Sequence, residues 1–130
     1  MDNIIVLVEN WQMQCCGMPF KVGEHVEWTV IKNMPNEYWD KFDREPVAYL
    51  YENHADNRTK VFKLQGIVKQ ITANYFTYET IWEEKRKVRV PAEMKSIMVN
   101  EADGWDKAIE EWSFANYTVH LDTVKIKELA

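Results

Sequence analysis

Two stretches near the start of the chain have hydrophobic patterns typical of β-strands. Residues 4–8 are continuously apolar and consist of isoleucine, valine and leucine, which favours a short strand buried on both faces. Residues 25–31 alternate instead, with Val26, Trp28 and Val30 on one face and polar side chains between them. This alternation predicts a half-buried strand.

The middle of the chain predicts two more strands. Residues 47–52 form the first, and the polar residues 53–57 end it with a turn or short loop. Residues 60–71 form the second, which is interrupted by Gly66. An isolated glycine within a strand pattern indicates a bulge or a sharp bend, so we expect the strand to change direction there.

The second half of the chain contains a predicted hairpin. Residues 74–82 and 86–90 alternate on either side of a charged turn, and we expect Pro91 to stop the second strand. Residues 95–99 predict one further short strand. Residues 117–122 alternate as a last strand, which is followed by a charged tail.

Two segments are candidates for short helices. A helix that begins at Pro35 places Tyr38, Trp39 and Phe42 on one face, and an irregular loop is the alternative. Residues 101–112 predict a second helix, because apolar side chains recur there at helical spacing. The stripe consists of Trp105, Ala108, Ile109 and Trp112. Asp103 is the predicted N-cap.

These elements predict a mainly β fold. We expect a single β-rich domain over residues 1–130, built as a small, partly open barrel of the SH3-like or OB-like type with one or two short helices. Residues 20–26 resemble the opening of many small barrels, and residues 66–71 resemble a bent strand of the same architecture. A chain of 130 residues is long enough to bury one core.

Composition narrows the classes of function. The chain has 16 basic and 21 acidic residues and a net charge of −5. It therefore lacks the excess of basic residues that a general nucleic-acid binder has. Its six Trp, six Tyr and five Phe supply core area and candidate recognition surface. The first apolar run is too short for a signal peptide, and no run approaches membrane-spanning length. Two adjacent cysteines without a disulfide framework indicate a cytoplasmic protein with reduced thiols.

The most unusual stretch is residues 11–23, which holds both cysteines and the first two glycines. Gly17 and Pro19 are turn residues, so we expect a loop. Leaving large apolar groups in water costs about 25 cal/mol per Å². We therefore predict that Trp11 and Phe20 anchor the loop against the barrel, with at least one thiol buried.

This stretch resembles the N-terminal signature of a family of small bacterial proteins of unknown function, mainly actinobacterial. The residues that carry the resemblance are Trp11-Gln12-x-Gln14-Cys15-Cys16-Gly17-x-Pro19-Phe20-x-Val22-Gly23. The family pattern continues with a Glu/His-rich segment, here Glu52-Asn53-His54, and a strand that corresponds to residues 66–71. Family members tend to have two adjacent histidines where this chain has Asn53-His54, which weakens the argument for a metal there. The resemblance covers the first half of the chain and implies no activity.

The candidate ligand-binding residues are Trp11, Cys15, Cys16 and His54. A metal site, with zinc as the ion, would use Cys15, Cys16 and His54, but the spacing is not that of a CxxC zinc motif. A reactive thiol would need a neighbouring base such as His54. The favoured alternative is that one thiol packs in the core and its neighbour faces the surface of the loop. A disulfide between adjacent cysteines would be strained. His25 and His120 lie on the polar faces of predicted strands, where we expect exposed histidines without a function.

The densest basic cluster consists of Lys85, Arg86, Lys87 and Arg89. With aromatic residues across the predicted hairpin, it resembles a platform for nucleic acid. We favour an edge strand whose lysines oppose aggregation and pair with neighbouring glutamates. Nucleic acid is therefore not an expected partner, and we predict at most weak, salt-sensitive binding.

The chain carries no phosphate-binding glycine loop and no recognised hydrolase motif, so an enzyme is not favoured and no catalytic residue is assigned. The favoured function is a cytoplasmic small-barrel binding or interaction module for an unidentified protein or small molecule. The alternative is a thiol- or metal-dependent site built on Cys15, Cys16 and His54. No cofactor is predicted, and no membrane partner is expected.

Overall fold

A computed structural model describes residues 3–34, 36, 39–42, 46–52 and 59–129, apart from the side chain of Cys16. The protein is mainly β. Its strands are β1 (Ile4–Glu9), β2 (Phe20–Lys21), β3 (His25–Lys32), β4 (Tyr49–Tyr51), β5 (Phe62–Glu83), β6 (Arg86–Val99), β7 (Glu101–Ala102) and β8 (Ser113–Glu128). One α-helix, α1 (Asn10–Cys16), and a 3₁₀ turn, η1 (Asp40–Phe42), complete the described elements.

Six of these strands form one sheet that closes in a ring. Their order is β3-β4-β1-β8-β5-β6, and β3 also pairs with β5. The long strand β5 makes this closure possible, because its residues 62–67 pair with β3 and its residues 71–83 pair with β6. The small strands β2 and β7 pair separately. The predicted mainly β fold is confirmed at this level.

The core lies on one face of the ring-closed sheet. Val6 and Val8 of β1, Val30 of β3 and Val119 and Leu121 of β8 have no exposed side-chain surface. Aromatic rings extend this cluster through edge-to-face contacts: Phe20 lies 4.9 Å from Trp28, and Trp28 lies 5.4 Å from Tyr51. Burying a side chain of this size stabilises the fold by about 1.5–3 kcal/mol. The predicted alternation of β3 is confirmed, because Val26, Trp28 and Val30 are all buried.

The stretch predicted as a loop begins with the helix α1. Its middle residues Gln12 and Met13 are buried, and this burial stabilises a helix too short to persist alone. At Gly17 the helix ends, and the Gly17 N–H donates to the carbonyls of Gln12 and Met13 at 3.0 and 3.2 Å. A Cβ on Gly17 would lie 2.7 Å from the Met13 Cα, so only glycine fits there. The loop prediction was therefore wrong for residues 11–16.

The helix predicted over residues 101–112 does not form. Residues 101–102 are strand β7, and Ile109 and Trp112 are joined by an isolated β-bridge. Gly104 has a φ of +87° and Glu110 a φ of +51°, both incompatible with a right-handed helix. The segment is instead fixed by Tyr117, whose hydroxyl accepts the Gly104 N–H at 3.0 Å and donates to Asp106 at 2.7 Å.

The predicted stop at Pro91 is also wrong, because β6 runs through it to Val99. Pro91 lies opposite Tyr78, where the register between the two strands shifts. A proline is tolerated at this position because β6 is the last strand in the sheet order. The predicted turn between the hairpin strands is confirmed, and Glu84 and Lys85 have positive φ values of 49° and 66° there.

The irregularity predicted at Gly66 is confirmed. The pairing of β5 with β8 shifts register between Gln65 and Ile67, and a Cβ on Gly66 would lie 3.2 Å from the Asp122 carbonyl oxygen. Of the helix predicted from Pro35, only the turn η1 is observed, while Pro35 and Tyr38 lie outside the described residues. No helix in the described ranges is long and apolar enough to cross a membrane.

Candidate ligand-binding site

The face of the sheet opposite the core has a polar centre on the neighbouring strands β5 and β8. Cross-strand pairing arranges its side chains in rows, because residues directly opposite each other share a face. The rows are Ile5–His120–Gln70, Leu50–Leu7–Thr118–Thr72 and Glu9–Asn116–Asn74–Ser96. Uncharged hydrogen-bonding groups on β5 and β8 are thus flanked by apolar side chains on β1 and β4.

Asn74 is the centre of a hydrogen-bond network on this face. Its Nδ2 donates to Asn116 Oδ1 at 2.8 Å and to Thr118 Oγ1 at 2.6 Å, while its Oδ1 accepts the Ser96 hydroxyl at 2.8 Å. Asn74 and Asn116 are buried, with 4% and 6% of their surface exposed. In these bonds Asn116 and Thr118 act only as acceptors, so an amide N–H and a hydroxyl remain to donate to a ligand.

Aromatic side chains border one end of this polar surface. Trp39 lies edge-on to Phe76 with ring centroids 4.8 Å apart, and Phe42 of η1 lies 5.3 Å from the same ring. Tyr78 continues the cluster 6.4 Å from Trp39. Burial raises the pKa of the Tyr78 hydroxyl, although the nearby Arg89 opposes this effect. The hydroxyl therefore stays protonated and able to donate at neutral pH.

Together these groups line a cavity of about 890 Å³. Small-molecule sites typically measure about 300–1,000 Å³. Its described lining includes two carboxylates, Glu9 and Asp40, and neither lysine nor arginine. The Lys41 ammonium and the Arg89 guanidinium lie against two of the lining rings, those of Phe42 and Tyr78, so the charge around the cavity is mixed. The uncharged polar side chains at its centre suit a neutral ligand.

Of the four residues that the sequence suggested as a site, the structure describes the side chains of Trp11 and Cys15. Trp11 and Cys15 lie on exposed parts of α1, with 46% of Trp11 accessible to solvent. The Trp11 indole N–H donates to the Glu9 carboxylate. Trp11 is thus not an anchor, whereas Phe20 is one, with 3% exposure. The prediction of a buried thiol is not met by Cys15.

His54 and the side chain of Cys16 lie outside the described part of the structure. Successive positions on an α-helix are about 100° apart, so the helical backbone places positions 15 and 16 on different sides of α1. Among the described residues, no group of three or more His, Cys, Asp or Glu side chains has metal-site geometry. The thiol or metal site as a whole remains a prediction.

The other half of α1 is tied to the body of the protein. Gln12 is 1% exposed and its amide donates to the Glu52 carboxylate at 2.8 Å. Gln14 donates to the Gly104 carbonyl at 2.7 Å. The unusual stretch therefore contributes its glutamines and Met13 to structure, and exposes its tryptophan and first cysteine.

Sequence reasoning missed Asn74, Asn116 and Thr118. A signal was present, because polar residues alternate at 70, 72 and 74 and again at 116, 118 and 120. Alternation of this kind usually marks a solvent-facing strand surface. Only the fold shows that the two runs lie opposite each other and that the segment containing Trp39 borders them.

Comparison with known proteins gives one match. A model of the family of unknown function DUF6578 matches residues 2–123. No curated protein and no solved structure matches the chain. Because the match spans nearly the whole chain, the protein belongs to the family of unknown function DUF6578.

Proposed function

We propose that the protein is a non-enzymatic binding module and that its ligand is a neutral, polyhydroxylated small molecule of the sugar type. The ring-closed sheet serves as a small barrel of the SH3-like or OB-like type, and the ligand lies on its outer face in the cavity above Asn74. The exposed Cys15 suits a reducing compartment, so we place the module in the cytoplasm.

The observation that carries this proposal is the uncharged hydrogen-bonding centre of the cavity. Buried polar groups cost free energy unless they are paired, and Asn74 is paired with Asn116, Thr118 and Ser96 on the neighbouring strands. The hydrogen bonds among Ser96, Asn74 and Asn116 do not use all the donors of these side chains. The donors left over on Asn116 and Thr118 match acceptor oxygens of a ligand.

The ligand class follows from the mixture of groups in the lining. A hydroxyl group both donates and accepts, so it matches the amides and hydroxyls of the sheet as well as the carboxylates Glu9 and Asp40. The C–H face of a sugar ring is apolar and packs against aromatic rings such as Trp39 and Phe76. The lining thus offers complementary contacts to both faces of such a molecule.

Calorimetric titration with a panel of neutral mono- and disaccharides tests the proposal. Each sugar is compared with its own phosphate ester, which adds negative charge to the same scaffold. We expect at least one neutral sugar to bind and its phosphate to bind more weakly, because Glu9 and Asp40 repel the anion. Binding of phosphates alone, or of no sugar, would contradict the proposal.

Two threonine variants provide a matched control. Thr118→Val removes a hydroxyl from the cavity, and we expect affinity to fall about three- to tenfold for one lost hydrogen bond. Thr29→Val makes the same change on β3, outside the cavity lining, and should leave affinity unchanged. Equal affinities of both variants would place the ligand elsewhere.

A further inference from the structure

The hairpin formed by the ends of β5 and β6 has two chemically different faces. Pairing of Thr80 with Arg89 and of Trp82 with Lys87 places these four side chains on the face that also carries Tyr78. The described residues of this face, from Tyr78 to the turn and back to Arg89, include two cations and no acidic side chain. We call it the basic-aromatic face.

The opposite face of the same hairpin carries the acidic residues. Glu83 pairs with Arg86, and Glu79 pairs with Val90. Of the glutamates that we expected to neutralise the basic cluster, Glu79 and Glu83 therefore lie on the other side from Lys87 and Arg89, and Glu84 lies in the turn. The edge-strand interpretation accounts for the position of β6 in the sheet, but not for this separation of charge.

Both cations of the basic-aromatic face lie against aromatic rings. The Arg89 guanidinium is 4.1 Å from the centroid of the Tyr78 ring, and the Lys87 ammonium is 5.6 Å from that of Trp82. Trp82 is nevertheless 70% exposed. A large indole left in water beside two held cations marks an interaction surface more than a packing element.

We propose that the basic-aromatic face binds single-stranded nucleic acid beside the cavity proposed as the ligand site, with which it shares Tyr78. An exposed aromatic ring offers a stacking surface to an unpaired base, and cations beside it contact the phosphates. Lys87 and Arg89 are two positions apart on one strand, about 7 Å along its axis. This spacing is comparable to that of successive phosphates in an extended single strand.

The strength of this binding is limited by charge. The chain has a net charge of −5, and the face supplies two cations, so few counterions are released on binding. Single strands give a salt slope of about −0.7 per phosphate contact. We therefore expect micromolar binding that requires low salt, with a slope of about −1.4 for the two contacts.

Fluorescence anisotropy with a labelled oligothymidylate of about 12 nucleotides tests the inference at low and moderate salt. Trp82→Ala should weaken binding about tenfold by removing the stacking ring. Arg89→Ala should weaken binding and reduce the salt slope by about 0.7. Both side chains are exposed, so unchanged circular dichroism and melting temperature are expected and are measured alongside.

The control is Arg86→Ala, which removes the same charge from the same strand on the opposite face. It should change affinity by less than about twofold, because it contacts no phosphate in the proposed complex. Equal losses for Arg86→Ala and Arg89→Ala would show a general charge effect and overturn the inference. So would absence of binding at low salt, equal affinity for a duplex of the same length, or equally strong binding of polyglutamate.

Discussion

Asn74 and Asn116 lie directly opposite each other on β5 and β8, and the Asn74 side chain donates a hydrogen bond of 2.8 Å to that of Asn116. Both side chains are buried on the face of the sheet that lines the cavity. Two buried amides at paired positions make the centre of this face polar. The same pair therefore contributes to the stability of the sheet and to the chemistry of the proposed site.

Replacing Asn74 by Ala should destabilise the protein by about 2–4 kcal/mol, because it removes three hydrogen bonds and leaves buried partners without them. The free energy of unfolding is measured by urea titration. Asn100→Ala removes the same side chain from an exposed position and should change stability by less than about 0.5 kcal/mol. Equal losses would show that the network contributes nothing to stability.

Gly104→Ala should be more destabilising than Gly23→Ala. Both glycines have positive φ, +87° and +94°, so both substitutions carry the backbone cost of about 1–2 kcal/mol. A Cβ on Gly104 would lie 2.5 Å from the Met13 Cβ, whereas one on Gly23 would meet nothing within 4 Å. We expect a further loss of about 1–3 kcal/mol for Gly104→Ala from overpacking against α1. Equal melting temperatures for the two variants would contradict this close approach.

The hydroxyl of Tyr117 makes stability depend on pH in alkaline solution. Burial, followed by the hydrogen bond to Asp106, raises the pKa of Tyr117 above its ordinary value of about 10. Above pH 10 the unfolded chain releases this proton while the folded protein retains it, so stability is full below pH 10 and falls as pH rises.

Unfolding titrations between about pH 8 and 11 measure this effect. Tyr117→Phe should lower stability at neutral pH by about 1–3 kcal/mol, because the Gly104 N–H loses its acceptor and Asp106 loses one of its donors. It should also flatten the alkaline decline. Tyr49→Phe, which removes a hydroxyl elsewhere in the cluster, should leave the decline in place, and the reverse pattern would assign it to another group.

Trp11 and Trp28 should differ strongly in their contribution to stability. Trp28 is 8% exposed and contacts Phe20 and Tyr51, so Trp28→Ala should cost about 3–5 kcal/mol. Trp11 is 46% exposed, and Trp11→Ala should cost less than about 1 kcal/mol. Thermal unfolding of the two variants measures these losses, and we expect the melting temperature to fall much further for Trp28→Ala. A large loss for Trp11→Ala would restore the anchoring role expected from sequence.

The strands were predictable from local hydrophobic patterns, either alternation between two environments or a continuous apolar run. Val26, Trp28 and Val30 are buried as the period of two requires, and the apolar run that begins at Ile4 lies in the centre of the sheet. Gly66 marked a real register shift. These features depend on residues that are close together in the sequence, so the sequence alone predicts them.

The elements that failed depend on contacts distant in sequence. α1 forms because Met13 packs beside Gly104 and Gln12 bonds to Glu52, and neither partner is visible locally. The apolar stripe that ends at Trp112 has helical spacing, but Glu110 has a positive φ and the chain reverses there, so that Ile109 pairs with Trp112. The cavity was not predicted for the same reason, because the pairing of Asn74 with Asn116 requires the register of β5 and β8.

Side-chain amide signals of Asn74 and Asn116 in a ¹⁵N-labelled sample test the central claim most directly. On addition of a mixture of neutral mono- and disaccharides, we predict saturable shifts of both pairs of signals, since both side chains lie on the floor of the cavity. The exposed amide of Asn100 should not move and is the internal control. Unchanged Asn74 and Asn116 signals, or shifts confined to Trp11 and Gln14 on α1, would contradict a sugar site in this cavity.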